Sequence, residues 1–189
     1  MKAALKAWLP LAILTSLIAG MVYLVAHQVL RQSANDPQIQ LAEDWTDQIV
    51  GGTDANRLNL GNFIDPARSL APFGIVYDQD GNIVASSVSS PSTMKQPNGV
   101  FDTVDAAADK TARYTWQPAS GERYAAVLRR ATFDNKSYYV LAGRNLRAVE
   151  DRIQRVAGII AAGWATTVVS VFVTQNMHLV GRVVRRRKK

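Results

Sequence analysis

The chain has 189 residues, two histidines and no cysteine, and 22 basic against 15 acidic residues give it a formal net charge of +7. Without cysteine there is neither a disulfide framework nor a thiolate metal site. All fifteen acids lie between two apolar stretches, from Asp36 to Asp151; thirteen Lys and Arg share that region, from Arg31 to Arg152, and leave a balance of −2, while the other nine basic residues stand at or beyond the apolar stretches. The basic excess is therefore a topology signal and argues against a nucleic-acid partner.

Residues 1–8 carry Lys2 and Lys6 and no acid, and Leu9 to Val25 is apolar, with Trp8 and Tyr23 where interfacial aromatics sit. A cleaved signal peptide shares this basic start and apolar core. This core is long, however, and no small-x-small cleavage site precedes His27, so an uncleaved membrane helix is expected. Asp36-Pro37 reads as an N-cap and a first-turn proline. Ile39, Leu41, Trp45, Ile49 and Val50 follow as a helical stripe that stops at Gly51-Gly52. Residues 51–71 read as a loop with a helical turn near Asn59 to Phe63.

The run Phe73-Gly74-Ile75-Val76-Tyr77 has the character of a central strand, turned by Asp78-Gln79-Asp80-Gly81-Asn82 into a returning Ile83 to Ser86. Ser86 to Pro97, rich in Ser, Pro and Thr, predicts an exposed loop. A short helix over Val100 to Ala108 precedes three antiparallel strands, Arg113 to Trp116, Arg123 to Arg130 and Ser137 to Ala142, turned at Pro118 to Gly121 and Asp134 to Lys136. Asn145 caps a helix that runs into the second apolar stretch, Val156 to Val173. About 18 residues at ~1.5 Å each come close to a ~30 Å hydrocarbon core. Glu150, Asp151, Arg152 and Arg155 bound this stretch on one side. Arg182, Arg185, Arg186, Arg187, Lys188 and Lys189 mark the other as cytoplasmic, as stop-transfer anchor or contact for anionic lipid.

The elements thus run helix, two strands, short helix, three strands and exit helix between two membrane spans, an α+β arrangement. The stretch Gly74 to Ser87 (GIVYDQDGNIVASS) resembles the first hairpin of PAS-like, Cache-type extracytoplasmic sensor domains of bacterial histidine kinases and chemoreceptors. Tyr139-Val140-Leu141-Ala142-Gly143-Arg144-Asn145-Leu146, feeding a membrane helix, is similar to such kinases as well. The resemblance covers residues 8–176 and implies a PAS-like antiparallel sheet with flanking helices, a ligand bound outside, and movement of the membrane helices as output.

On this reading 1–30 is a cytoplasmic N-terminus and first transmembrane helix, and 31–152 the outer domain. Residues 153–177 are then the second transmembrane helix and 178–189 a basic cytoplasmic tail, with both termini on the cytoplasmic side of the inner membrane. So few residues follow the second span that the chain is expected either to be an isolated sensor passing its signal to a separate signalling protein or to be a truncated or orphan receptor. Small residues spaced by four, Ala12, Ser16 and Gly20 in one span and Gly158, Ala162, Thr166 and Ser170 in the other, predict a packed hairpin or a homodimer.

An outer hydrolase is not expected. Residues 31–152 hold neither His nor Cys, since His27 and His178 lie at the membrane boundaries, which removes Ser-His-Asp, Cys-His and His-metal chemistry. No cofactor or metal is expected either. Asp78-x-Asp80-Gly81-Asn82 superficially matches a calcium loop, but the twelfth position is Ser89 in place of a bidentate Glu, and a tight turn explains the same residues. Asn135-Lys136-Ser137 matches a glycosylation sequon, a weak three-residue signal.

Strand alternation puts Tyr114 and Trp116 on one face, Arg113 and Thr115 on the other, and Arg129 in register with the apolar Val127 and Ala125. Tyr77, Arg113, Trp116, Arg129 and Tyr138 are accordingly the candidate lining of a cup for an acidic or aromatic ligand, with a core-and-edge role as the alternative. Two functions remain open. One is a small-molecule sensor, which a buried cup containing Arg129 or Trp116 would favour. The other is an accessory subunit that binds a protein, which a filled core with an exposed apolar patch would favour.

Overall fold

The computed structural model describes residues 2–33, 36–91 and 94–187, with only the backbone described for helical residues 2–7, 36, 175, 176 and 178–187. In chain order the elements are α1 (Lys2–Gln32), α2 (Asp36–Val50), a 3₁₀ turn (Ala55–Arg57), β1 (Phe73–Asp78), β2 (Ile83–Ser86) and α3 (Val100–Ala106). They continue with β3 (Thr111–Ala119), β4 (Glu122–Phe133), β5 (Lys136–Asn145) and α4 (Arg147–Arg187). The chain divides into two units, one of residues 1–30 with 151–189 and one of residues 31–150.

In the first unit both helices are long and apolar enough to cross a membrane. They meet through tryptophans. The Trp164 indole donates to Ser16 Oγ at 2.9 Å and the Trp8 indole to the Val168 carbonyl at 3.4 Å, and the Trp8 ring stands edge-on to Phe172 at 5.9 Å. Gly20 and Gly158, members of the small-residue rows, have open space where a Cβ would sit. At those two positions there is no close backbone approach, whereas Ser16 of the first row meets Trp164 of the other helix. Lys188 and Lys189 of the basic tail lie outside the described residues.

The second unit is an α+β domain around a five-stranded antiparallel sheet of order β2-β1-β5-β4-β3. Pairing β1 with the last strand, β5, puts the three most buried strands in the centre, where each carries a run of five buried residues. Such runs mean that both faces are covered. On one face α2 lays Ala42, Trp45 and Ile49 over Val76, Val127, Val140 and Ala142. The helix spacing is as the sequence predicts, but its face is rotated: Gln38 and Thr46 are buried and Val50 is exposed. Gly51-Gly52 ends α2 as expected. Gly52 takes φ +94°, its N–H donates to Ile49 O and that of Thr53 to Gln48 O, the double bond of a Schellman cap. α2 starts at Asp36 itself, and the side chain expected to cap it lies outside the described residues.

The other face is aromatic. Phe73, Tyr77, Trp116, Tyr124 and Tyr139 pack with Ile75, Leu128 and Leu141 beneath α3. Here the sequence reading of Ser86 to Pro97 as exposed is corrected: Ser87, Val88 and Met94 are buried. The Ser87 hydroxyl accepts from Gly74 N at 2.8 Å, Val88 pairs with Ile64, and the Tyr77 hydroxyl donates to Met94 O at 3.0 Å, so this segment closes the aromatic core. Ser92 and Thr93 are outside the described residues. The helical turn expected near Asn59 to Phe63 falls earlier, at Ala55–Arg57, because the Asp54 carboxylate accepts from Asn56 N.

Candidate functional site

The five candidate residues do not share a cup. Tyr77 and Trp116 are buried on the α3 face, whereas Arg129 and Tyr138 lie on the α2 face and Arg113, also opposite Trp116, is exposed. Strand alternation decides this, since Arg129 and Val127 share a side and Trp116 pairs with Tyr124 on the other. Arg129 meets Glu43 of α2 at 2.7 Å as a half-exposed ion pair. Where a cup would lie, the interior is filled by rings joined through hydrogen bonds. Gln96 donates to the Tyr77 hydroxyl at 2.8 Å and accepts from that of Tyr114, while Asp105 accepts from Tyr139 (2.8 Å) and Arg130 (2.8 Å). Burial raises the Tyr77 and Tyr114 phenols well above the ordinary range, and burial with the Asp105 carboxylate pushes Tyr139 up to about 12.

The calcium-loop motif is spent on its turn. Asp78 Oδ1 accepts from Asp80 N and Asn82 N, its Oδ2 accepts from the Asn82 amide, and Gly81 takes φ +80°. Partial burial pushes the Asp78 carboxyl up, but these hydrogen bonds outweigh it and hold the carboxyl below the usual range.

The open space lies at the end of the aromatic core. A cavity of about 170 Å³ is lined by residues 65–67, by Val88, Ser89, Ser90 and Met94, and by Glu122 and Tyr124. Its buried wall is Pro66, Val88, Met94 and Tyr124, and it opens at the exposed Asp65, Ser89 and Ser90. Gly121 (φ +81°) turns the β3–β4 hairpin and starts β4 at Glu122, two residues before Tyr124 on the same face. The Tyr124 hydroxyl donates to Glu122 Oε2 at 2.9 Å, and its ring sits edge-on to Phe73 at 5.4 Å. Burial first, then the Glu122 hydrogen bond and charge, then the Asp65 charge, raise this phenol. Two carboxylates therefore direct their field at the floor of the cavity.

Both walls are bonded to the start of α4. On the loop side three neighbouring side chains grip alternate carbonyls: Arg144 Nε donates to Leu70 O (3.0 Å), Asn145 Nδ2 to Pro66 O (2.9 Å) and Arg147 Nη2 to Arg68 O (3.3 Å). On the strand side Leu146 N donates to Arg123 O at 2.8 Å, and the Arg123 guanidinium pairs with Glu150 in the first turn of α4. Asn145 serves as the side-chain cap that the sequence predicts, though from the end of β5 and one residue ahead of the N-cap position, its Oδ1 accepting from the first helical N–H, Arg147 N, at 2.8 Å. Asp65, Glu122, Tyr124 and Arg123 escape the sequence reading because no local pattern joins a loop, a hairpin and a helix start.

No protein-family profile matches the sequence, and no curated protein does. Among solved structures, a Mycobacterium tuberculosis transcriptional regulator is similar over 44% of this chain and 32% of its own, at 22% identity and a TM-score of 0.33, a likeness that carries no argument.

Proposed function

We propose that the chain is a two-pass sensor of the inner membrane. Residues 31–152 form a PAS-like, Cache-type domain outside the membrane, the cavity between Pro66 and Tyr124 receives a small molecule, and α4 passes the change to a separate signalling protein. The basic N-terminus and tail lie in the cytoplasm, following the positive-inside bias. The protein is a receptor and not an enzyme. The observation that carries this reading is the double attachment of the cavity to α4. Any ligand that moves the 65–70 loop against Glu122 and Tyr124 pulls on Asn145 from one side and on the Arg123–Glu150 pair from the other. Support for the family likeness comes from the order of elements, helix, two strands, short helix, three strands and exit helix.

The second reading, an accessory subunit that binds a protein, draws on the filled aromatic core and on Phe63, which is 78% exposed. A thermal-shift screen of the full chain in lipid nanodiscs against small cations, organic acids, amino acids and nucleobases separates the two. A ligand present at ~100 times its dissociation constant adds about 2.7 kcal/mol to a native state that alone binds it. A reproducible shift favours the sensor. Silence across the screen, with capture of a protein partner that Phe63→Ser abolishes, favours the subunit.

A further inference from the structure

The cavity is asymmetric in charge. Its wall holds two carboxylates, two serine hydroxyls and one phenol, and no Lys or Arg. Neither carboxylate is neutralised inside. Among the described residues Glu122 takes part in no ion pair, and its hydrogen-bond partner is the Tyr124 hydroxyl. Asp65 keeps one oxygen on Ala67 N at 3.0 Å, and its other oxygen lies 3.6 Å from Arg68, whose side chain is 90% exposed and screened by water.

An anion entering this space faces two like charges, and a neutral ligand leaves the half-buried Glu122 with only the Tyr124 hydroxyl and no counter-charge. A hard divalent ion is also a poor fit. It requires six to eight oxygens, and among the described residues no group of three or more His, Cys, Asp or Glu converges. The remaining wall, Pro66, Val88 and Met94, offers apolar surface that suits carbon and not a hydrated ion. At about 170 Å³ the space falls below the ~300–1,000 Å³ of drug-sized sites.

We propose that the ligand of this cavity is a small primary ammonium compound, its charged nitrogen between Glu122 and Asp65 and its short apolar body against Val88 and Met94. This rests on the reading of the cavity as the sensor's ligand site.

The test uses the full chain in nanodiscs, titrated calorimetrically with n-propylammonium, its neutral isostere n-butane, propionate and calcium. Three variants accompany it: Glu122→Gln, Asp65→Asn and, as a remote charge control on the exposed face of α2, Asp44→Asn. Asn at 65 keeps an oxygen for Ala67 N, so Asp65→Asn holds the loop while removing its charge. The expected result is saturable binding of n-propylammonium, weakened at least tenfold by either site variant and unchanged by Asp44→Asn, with no response to n-butane or propionate. Binding of propionate or calcium in place of the ammonium overturns the ligand class and leaves the sensor reading standing. Ammonium binding that survives both site variants removes the compound from this cavity and overturns the proposal. If neither this set nor the broader screen yields a ligand, the sensor reading fails with it.

Discussion

Asn145 joins three parts of the molecule, and replacing it separates its two jobs. The residue is 7% exposed, and its side chain caps α4 through Oδ1 and holds the 65–70 loop through Nδ2. Removing both in Asn145→Ala costs about 1 kcal/mol for the lost cap. Leaving the buried Pro66 carbonyl unpaired adds ~1–3 kcal/mol, for a total near ~2–4 kcal/mol. Asn145→Asp keeps the cap acceptor but loses the donor and turns a carboxylate oxygen toward Pro66 O. It should therefore be destabilised by at least the second amount although Asp is as good a cap as Asn. Urea unfolding of both variants, followed by near-ultraviolet dichroism of the aromatic core, measures the difference. An Asn145→Asp protein as stable as the native chain would refute the bridge, and with it the mechanical link from cavity to exit helix.

Gly143 lies opposite Phe73 on the neighbouring strand, and a Cβ there overlaps the Phe73 ring, itself fully buried and edge-on to Tyr124. Gly143→Ala should cost ~1–3 kcal/mol in thermal unfolding and be partly rescued by Phe73→Leu; a native-like melting temperature for Gly143→Ala contradicts the packing. The phenols of Tyr77, Tyr114, Tyr124 and Tyr139 all ionise above their ordinary range. Their folded-state pKa values exceed the unfolded ~10, so their contribution is complete below pH ~10 and is lost as pH rises through the folded values. Tyrosinate absorbance of these four should thus appear together with alkaline unfolding; gradual ionisation of all six tyrosines with the fold intact contradicts their burial.

Most of the domain's elements are legible in the sequence because their signals are local. Gly52 and Gly81 sit at positive φ where stop and turn are predicted, and Asp134 and Asn135 turn β4 into β5 with φ +49° and +58°. The cap at Asn145 is local as well. Three readings fail where distant residues decide. The 86–97 segment is polar in composition, yet it is buried because it supplies Val88 and Met94 to a sheet face that the chain has not yet built at that point. The stripe on α2 turns toward Gln38 and Thr46 because the sheet beneath presents small residues, Ala131 and Ala142 among them. Arg129 looks buried by its neighbours along the strand and instead reaches Glu43 of α2 in a half-exposed ion pair. The cavity is the least legible feature, since its walls come from three separate segments, at 65–67, 88–94 and 122–124.

On the proposed reading, occupancy of the cavity moves α4 relative to α2. The chain has no native cysteine, so spin labels at the exposed positions Asp47→Cys and Gln154→Cys report this distance in nanodiscs without competing sites. Adding the compound that stabilises the chain in the screen should displace the distance distribution by ~1–2 Å, the scale of helix shifts in switching proteins, and the displacement should vanish in Asn145→Ala. A compound that binds and leaves the distribution unchanged contradicts the account.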